Sequence, residues 1–331
     1  TDLAAGPVTR DQDEPSIIPG LFATYKSGVW GLFGSITNNG GGGMVKYESG
    51  NAITNTISAM LGAPLTNQYI EAESMYITYT AGASYQINPM VSVAAGIRYM
   101  DATKDVEAYS DSPLGPLFGA YEEEADGWGW VASLNVKPRN DLLLAFRYES
   151  EVDLEFETKL DGKNTPLGNG ILEQLGKKQN SKYDRDLPAV FGMGASWDAN
   201  DRLNLNTSFT YYFEKKADWD DYNTSNFDNS YDIAVSATYS FLDNLRGSIG
   251  YMFTDVGMDV EDFGLTEVMS PALDAHSFFC GLGYDFNPMI TVDLGLMVNF
   301  YNDETLNDPM LGQINYDKQN TALGLGVAFK F

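Results

Sequence analysis

Apolar and polar residues alternate along most of this chain with a period of two, which is how a strand with one apolar face is written. In residues 187–198, LPAVFGMGASWD, Leu187, Ala189, Phe191, Met193, Ala195 and Trp197 fall on one face. Pro188, Val190, Gly192, Gly194, Ser196 and Asp198 fall on the other. The last segment sets Leu323, Leu325, Val327, Phe329 and Phe331 against Ala322, Gly324, Gly326, Ala328 and Lys330. Thirteen such segments can be read: 16–26, 28–38, 73–87, 90–108, 120–137, 141–158, 181–197, 202–215, 227–241, 244–256, 271–286, 288–303 and 313–331. Several exceed the ~5–6 residues usual for soluble strands and match the ~9–11 that cross a bilayer at a tilt. One face is rich in Leu, Val, Ile, Phe and Tyr, and the other in Gly, Ser, Thr and Asn with scattered charges. The pattern predicts an all-β, transmembrane antiparallel β-barrel over residues 1–331 as one domain, with aromatic girdles.

The connections alternate in length. Short turns fall at 26–28, 87–90, 137–141, 198–201, 242–244 and 286–289, and long connections at 39–72, 109–119, 159–180, 216–226, 257–270 and 304–312. In outer-membrane barrels the short turns are periplasmic and the long loops external. Residues 1–15 then lie on the extracellular side. Bacterial single-chain barrels have even strand numbers, so thirteen strands predict either a missing first strand or a weak strand hidden in a long loop.

Composition narrows the function. The net charge is −26, which argues against nucleic acid, because phosphate binding needs a basic face. The acidity fits solvated external loops, or loops holding divalent cations beside anionic lipopolysaccharide. A single cysteine, Cys280, leaves no disulfide framework and no Cys-based metal cluster. His276 is the one histidine and sits in the lipid-facing register, so no catalytic constellation, metal site or cofactor is expected. YEEEADGW (121–128) and DWDDYNTSNFDNSYD (218–232) are acidic enough for Ca²⁺ but lack fixed ligand spacing.

DLPAVFGMGASWDANDRLNLNTSFTYYF (186–213) resembles the FadL-type outer-membrane channels for long-chain fatty acids and other hydrophobic compounds. That family has a similar Leu-Pro strand, an acidic turn and a following Leu-x-Leu strand. Segments 14–41, 81–100, 135–156 and 281–303 agree in the same order. The resemblance implies a 14-stranded barrel whose first strand and N-terminal hatch have no match here, located in the bacterial outer membrane among lipid and lipopolysaccharide. It also implies passive transport of fatty acids or hydrocarbons. The residues leave the oligomeric state open, and a monomer is the expectation. A polar-solute porin and a structural or docking barrel are the alternatives.

Four glycines, Gly40, Gly41, Gly42 and Gly43, strip side chains from the outer end of the second segment. Glycine there marks a bulge or bend. The resemblance makes it an inward kink that opens the wall sideways; the plainer reading is the start of a flexible external loop. Phe22, Phe33, Met100, Met252, Phe279 and Met297 fall on the lumen face, where they either contact an apolar ligand or simply fill the interior. Arg98 and Arg147 share that face and suit a ligand carboxylate, or pair with nearby Glu and Asp. Ile53, Ile57, Met60 and Leu61 recur at helical spacing in an external loop. They would form a greasy capture groove, or pack against a second apolar run at 164–178.

Overall fold

The computed structural model describes residues 17–50, 52–220, 227–260, 272–308 and 312–331. The segment 1–15, most of 216–226 and 257–270, and 309–311 therefore lie outside the described residues. Among the described residues, thirteen antiparallel strands form the wall, each paired with its neighbours along the chain order of the wall. They are β1 (Gly20–Ser27), β2 (Trp30–Tyr47), β3 (Thr66–Asn88), β4 (Val91–Ser112), β5 (Gly115–Arg139) and β6 (Leu142–Glu149). Two short strands, β7 (Glu155–Leu160) and β8 (Lys182–Asp184), leave this path, and β7 pairs with β5. The wall continues through β9 (Val190–Asn200), β10 (Leu203–Tyr212), β11 (Tyr231–Leu242), β12 (Leu245–Asp255), β13 (Ala275–Asn287) and β14 (Ile290–Tyr301). After a separate hairpin of β15 (Glu304–Asp308) and β16 (Gly312–Tyr316), β17 (Gln319–Phe329) closes the order. No ladder joins β1 to β17 among the described residues.

The six short turns are where the alternation breaks. Three use one device: Asn88, Asn200 and Asn287 each accept two backbone N–H bonds through Oδ1, from Met90 and Val91, Arg202 and Leu203, and Met289 and Ile290. An Asn side chain imitating a backbone turn fixes the hairpin register. That register decides which face each residue joins. Arg98, Met100 and Ala102 are buried, whereas Ile97, Trp128 and Trp130 of the opposite face are exposed. Exposed aromatics recur near both ends of the strands, for example Trp30 against Tyr85, and Trp128 against the half-buried Tyr99.

The strands run further than the loop boundaries read from the sequence. β2 and β3 extend through most of 39–72, leaving α1 (Ala52–Leu61) in a short connection, and β4 and β5 meet across Ser112 and Gly115. At 22–25 residues, β3 to β5 overrun any bilayer crossing. Their polar outer ends are a stalk in water, which is why apolar alternation faded there. The segment 159–180 carries α2 (Pro166–Gln174), capped by Thr165, whose side chain accepts from Gly168 N.

Candidate functional site

The ladders place the predicted lumen residues on one surface. Phe22 pairs with Ser35, Phe33 with Gly82, Met252 with Ser277, and Phe279 with both Gly250 and Met297. The inward glycines serve as seats for rings. A Cβ on Gly82 would lie 2.3 Å from Phe33 Cζ, and one on Gly250 2.1 Å from Phe279 Cε2. Both aromatics thus lie flat against the neighbouring strand, where a side chain would have pushed them into the channel. Arg246, Ser248, Phe279, Gly281, Gly295 and Met297 line part of a hollow of about 590 Å³.

Arg98 and Arg147 do not stand alone; they meet on one carboxylate. Arg98 Nη1 lies 2.6 Å from Glu149 Oε2, and Arg147 Nη2 lies 2.6 Å from Glu149 Oε1. The Arg98 side chain is 2% exposed and that of Arg147 57%. Two guanidinium groups on one carboxylate leave a net positive site, and only Arg147 shows it to the lumen. Arg98 is enclosed, and its Nε makes no hydrogen bond. Lower down, Arg246 is held by Asp293 at 2.6 Å and Asp285 at 3.5 Å, so the periplasmic end has no spare cation there.

Met100 is fully buried and packs with Ala102, Ala125, Val152, Leu154 and Phe156. This cluster occupies the upper lumen, so Met100 touches the protein's own side chains. Glu123, read as one of the acidic loop charges, is 2% exposed and accepts hydrogen bonds from Lys177, Tyr183 and Thr158. It ties the α2 loop to the wall. Glu151, Asp153 and Asp186 bring carboxylate oxygens within 4.8 Å of one another, a gathering that no spacing in the sequence announced.

The glycine run makes a double bulge. The β2–β3 register shifts between Asn38 and Gly40 and again between Gly40 and Gly43. Gly41 has φ +79°, and a Cβ there would lie 2.4 Å from Ser74 O. Beyond the bulges β2 stays paired to β3 up to Tyr47↔Ile70, while among the described residues β1 accompanies it to Thr37. Gly42 sits inside this strand. The external helix does not present its whole apolar stripe. Ile57 is buried with Leu65, Leu117 and Ile171, and Leu61 packs against the same cluster, so α1 and α2 face each other. Met60 is exposed; Ile53 lies in the same helix.

Residues 71–331 match the profile of the outer membrane protein transport protein family (OMPP1/FadL/TodX). The chain belongs to this family. It is accordingly a protein of the bacterial outer membrane, and its sheet is a FadL-type barrel wall. Two curated relatives are each 23% identical: the long-chain fatty acid transport protein of Escherichia coli O6:H1 over 294 residues, and a 47 kDa outer membrane protein of Pasteurella multocida over 218. The matches cover 71% and 61% of this chain, but the chain spans only 64% and 50% of those relatives. A Pseudomonas aeruginosa FadL homologue superposes with a TM-score of 0.69 at 16% identity, over 94% of this chain and 78% of that one. The Pseudomonas putida toluene transporter TodX gives 0.66 at 13%, over 96% and 83%. Among the described residues, the thirteen wall strands expected from alternation are each found.

Proposed function

We propose that this FadL-family chain passes hydrophobic molecules, long-chain fatty acids or hydrocarbons, across the outer membrane without an energy source. The observation that carries the reading is the lumen surface: Phe22, Phe33, Met252, Phe279 and Met297 face inward on strands whose other face already meets lipid. A water-filled porin has no use for that apolar area. Each methylene transferred from water contributes ~0.8 kcal/mol, so such a lining holds an alkyl chain that water rejects. Arg147 is the anchor for a carboxylate head, with Glu149 fixing its guanidinium. Arg98 holds Glu149 in turn.

Ligand leaves sideways where β2 carries the double bulge at Gly40–Gly43, into the outer leaflet. Support comes from the two register shifts that interrupt β2 against β3 and from the glycine that alone fits at Gly41. First capture is at the external helices, with Met60 the exposed member of that set. The protein works as a monomer in contact with lipopolysaccharide. Mass spectrometry of an organic extract from the purified barrel, against a detergent blank, tests the reading. Fatty acid or hydrocarbon enriched near one per chain is the expected result. An extract equal to the blank, together with steady ion conductance, would replace this reading with a polar-solute porin.

A further inference from the structure

Between β5 and β6 the wall is not continuous. Their pairing runs to Val131↔Glu149, with Ser150 N donating to Trp130 O, and resumes only at Glu124↔Glu157 in β7. Eight positions separate Glu149 from Glu157, but seven separate Val131 from Glu124. On its other side the same segment never loses register: Glu149↔Val190, Val152↔Leu187 and Glu155↔Asp184 follow in step. The β6–β7 strand and its partner β8–β9 have therefore left β5 together.

They have gone inward. Gly127 and Gly129 of β5 pair with Met100 and Arg98, which places them on the lumen face. A Cβ on Gly127 would lie 2.3 Å from Asp153 O and 2.6 Å from Val152 Cγ1; one on Gly129 would lie 2.9 Å from Ser150 Oγ and Val152 Cγ2. Residues 150–154 thus overlap the inner surface of β5 like a shingle, and the two glycines are the gap they lie in. Val152, Leu154 and Phe156 are wholly buried against Met100, Ala102 and Ala125. Asp186 pins the shingle by accepting from Leu154 N. Trp130 stands nine residues above Arg139 at the periplasmic turn, ~23 Å at ~3.3 Å per residue and ~40° tilt. That is the top of the apolar band.

We infer that Ser150–Leu154 is a displaceable strap that occupies the upper lumen in place of ligand and swings outward to free it. In the displaced position the strap lines up with β5, and the backbone of Asp126 and Trp128 gains ladder partners. Met100, Ala102 and Ala125 are then uncovered beside Arg98, giving an apolar floor with a cation at its edge. The two positions exchange buried apolar contacts for strand pairing, which is what makes such an element bistable. What the strap gates rests on the transport reading above; that it moves does not.

Gly127→Ala tests the inference, because its Cβ collides with backbone in the tucked position and is harmless in an ordinary strand. Val152→Cys, in a Cys280→Ser background, reports the strap position through its labelling rate with a water-soluble maleimide. Adding Gly127→Ala is expected to speed labelling at least ten-fold, and Gly295→Ala, whose Cβ meets nothing within 4 Å, to leave it unchanged. Amide exchange at residues 151–156 reads the same motion without any cysteine, and Gly129→Ala replaces Gly127→Ala if the latter does not fold. A folded Gly127→Ala barrel with unchanged labelling and exchange overturns the strap. So does an equal rise in Gly295→Ala, which would mean general loosening. Dodecane is the ligand probe: bound dodecane that speeds labelling of the Val152→Cys protein supports the strap, and bound dodecane that leaves the rate unchanged overturns it. Fast labelling in Gly127→Ala with no dodecane bound by any variant supports the moving strap and sinks the transport reading alone.

Discussion

Glu149→Gln should be the most damaging single change at the arginine site, more so than removing either arginine. Glu149 holds two cations, with 2.6 Å contacts to both, but the two are not alike. The Arg98 side chain is 2% exposed and has no other ion-pair partner among the described residues. Replacing the carboxylate by an amide keeps the shape and strands a buried guanidinium, a loss of ~3–5 kcal/mol for breaking such a pair from one side. Arg147 is more than half in solvent, and an exposed pair is worth ~0–1 kcal/mol. Arg147→Ala should therefore barely change stability while weakening carboxylate binding. Arg98→Met leaves Glu149 paired to Arg147 and fills the site with apolar volume, so its cost should fall well below that of Glu149→Gln. The double variant Arg98→Met/Glu149→Gln should recover most of the loss, since neither buried charge remains. Urea unfolding of the four proteins in lipid vesicles, followed by tryptophan fluorescence, gives the ranking. If Glu149→Gln costs no more than Arg147→Ala, the carboxylate is not compensating a buried charge and the reasoning fails.

Other outcomes follow from single contacts. Gly41→Ala forces a Cβ to 2.4 Å from Ser74 O at φ +79°, and should destabilise by ~1–3 kcal/mol and slow hydrocarbon uptake into vesicles; uptake at the wild-type rate would remove the double bulge from the exit route. Phe279→Ala bares Gly250 and should weaken dodecane binding by roughly ten-fold, read by titration of the detergent-solubilised barrel. Ile57→Ser should expose the joint between α1 and α2 to protease at ~2–3 kcal/mol of local stability, leaving the membrane wall protected. The Asp111 carboxyl, in the external stalk, is held below its ordinary value by hydrogen bonds from Tyr109 and Asn67, each 2.7 Å. A depressed carboxylate stabilises above its unfolded pKa and loses that contribution as pH falls through the folded one. Amide exchange at the β4–β5 tip should therefore rise as pH drops below ~4, and Asp111→Asn should flatten that dependence.

The wall was legible from the residues alone. Period-two alternation does not depend on distant contacts, because each strand meets lipid on one side whatever its neighbours are, so Leu323, Leu325 and Val327 could be oriented without a structure. The turns were equally legible, since an Asn at the hairpin start acts within three residues. Gly40–Gly43 announced an irregularity, and the lumen face of Phe33, Phe279 and Met297 followed from counting. How side chains divide the interior came from the fold. Arg98 and Arg147 look equivalent on their strands, and the fold buries one and exposes the other. Residues 141–158 and 181–197 read as unbroken strands, because the displacement at 150–154 keeps its register with β9 and loses it only against β5. Its trace in the sequence is Gly127 and Gly129 alternating with the outward Trp128 and Trp130, a pattern that also suits a smooth lumen. A glycine marks where something approaches closely, and only the fold supplies what approaches.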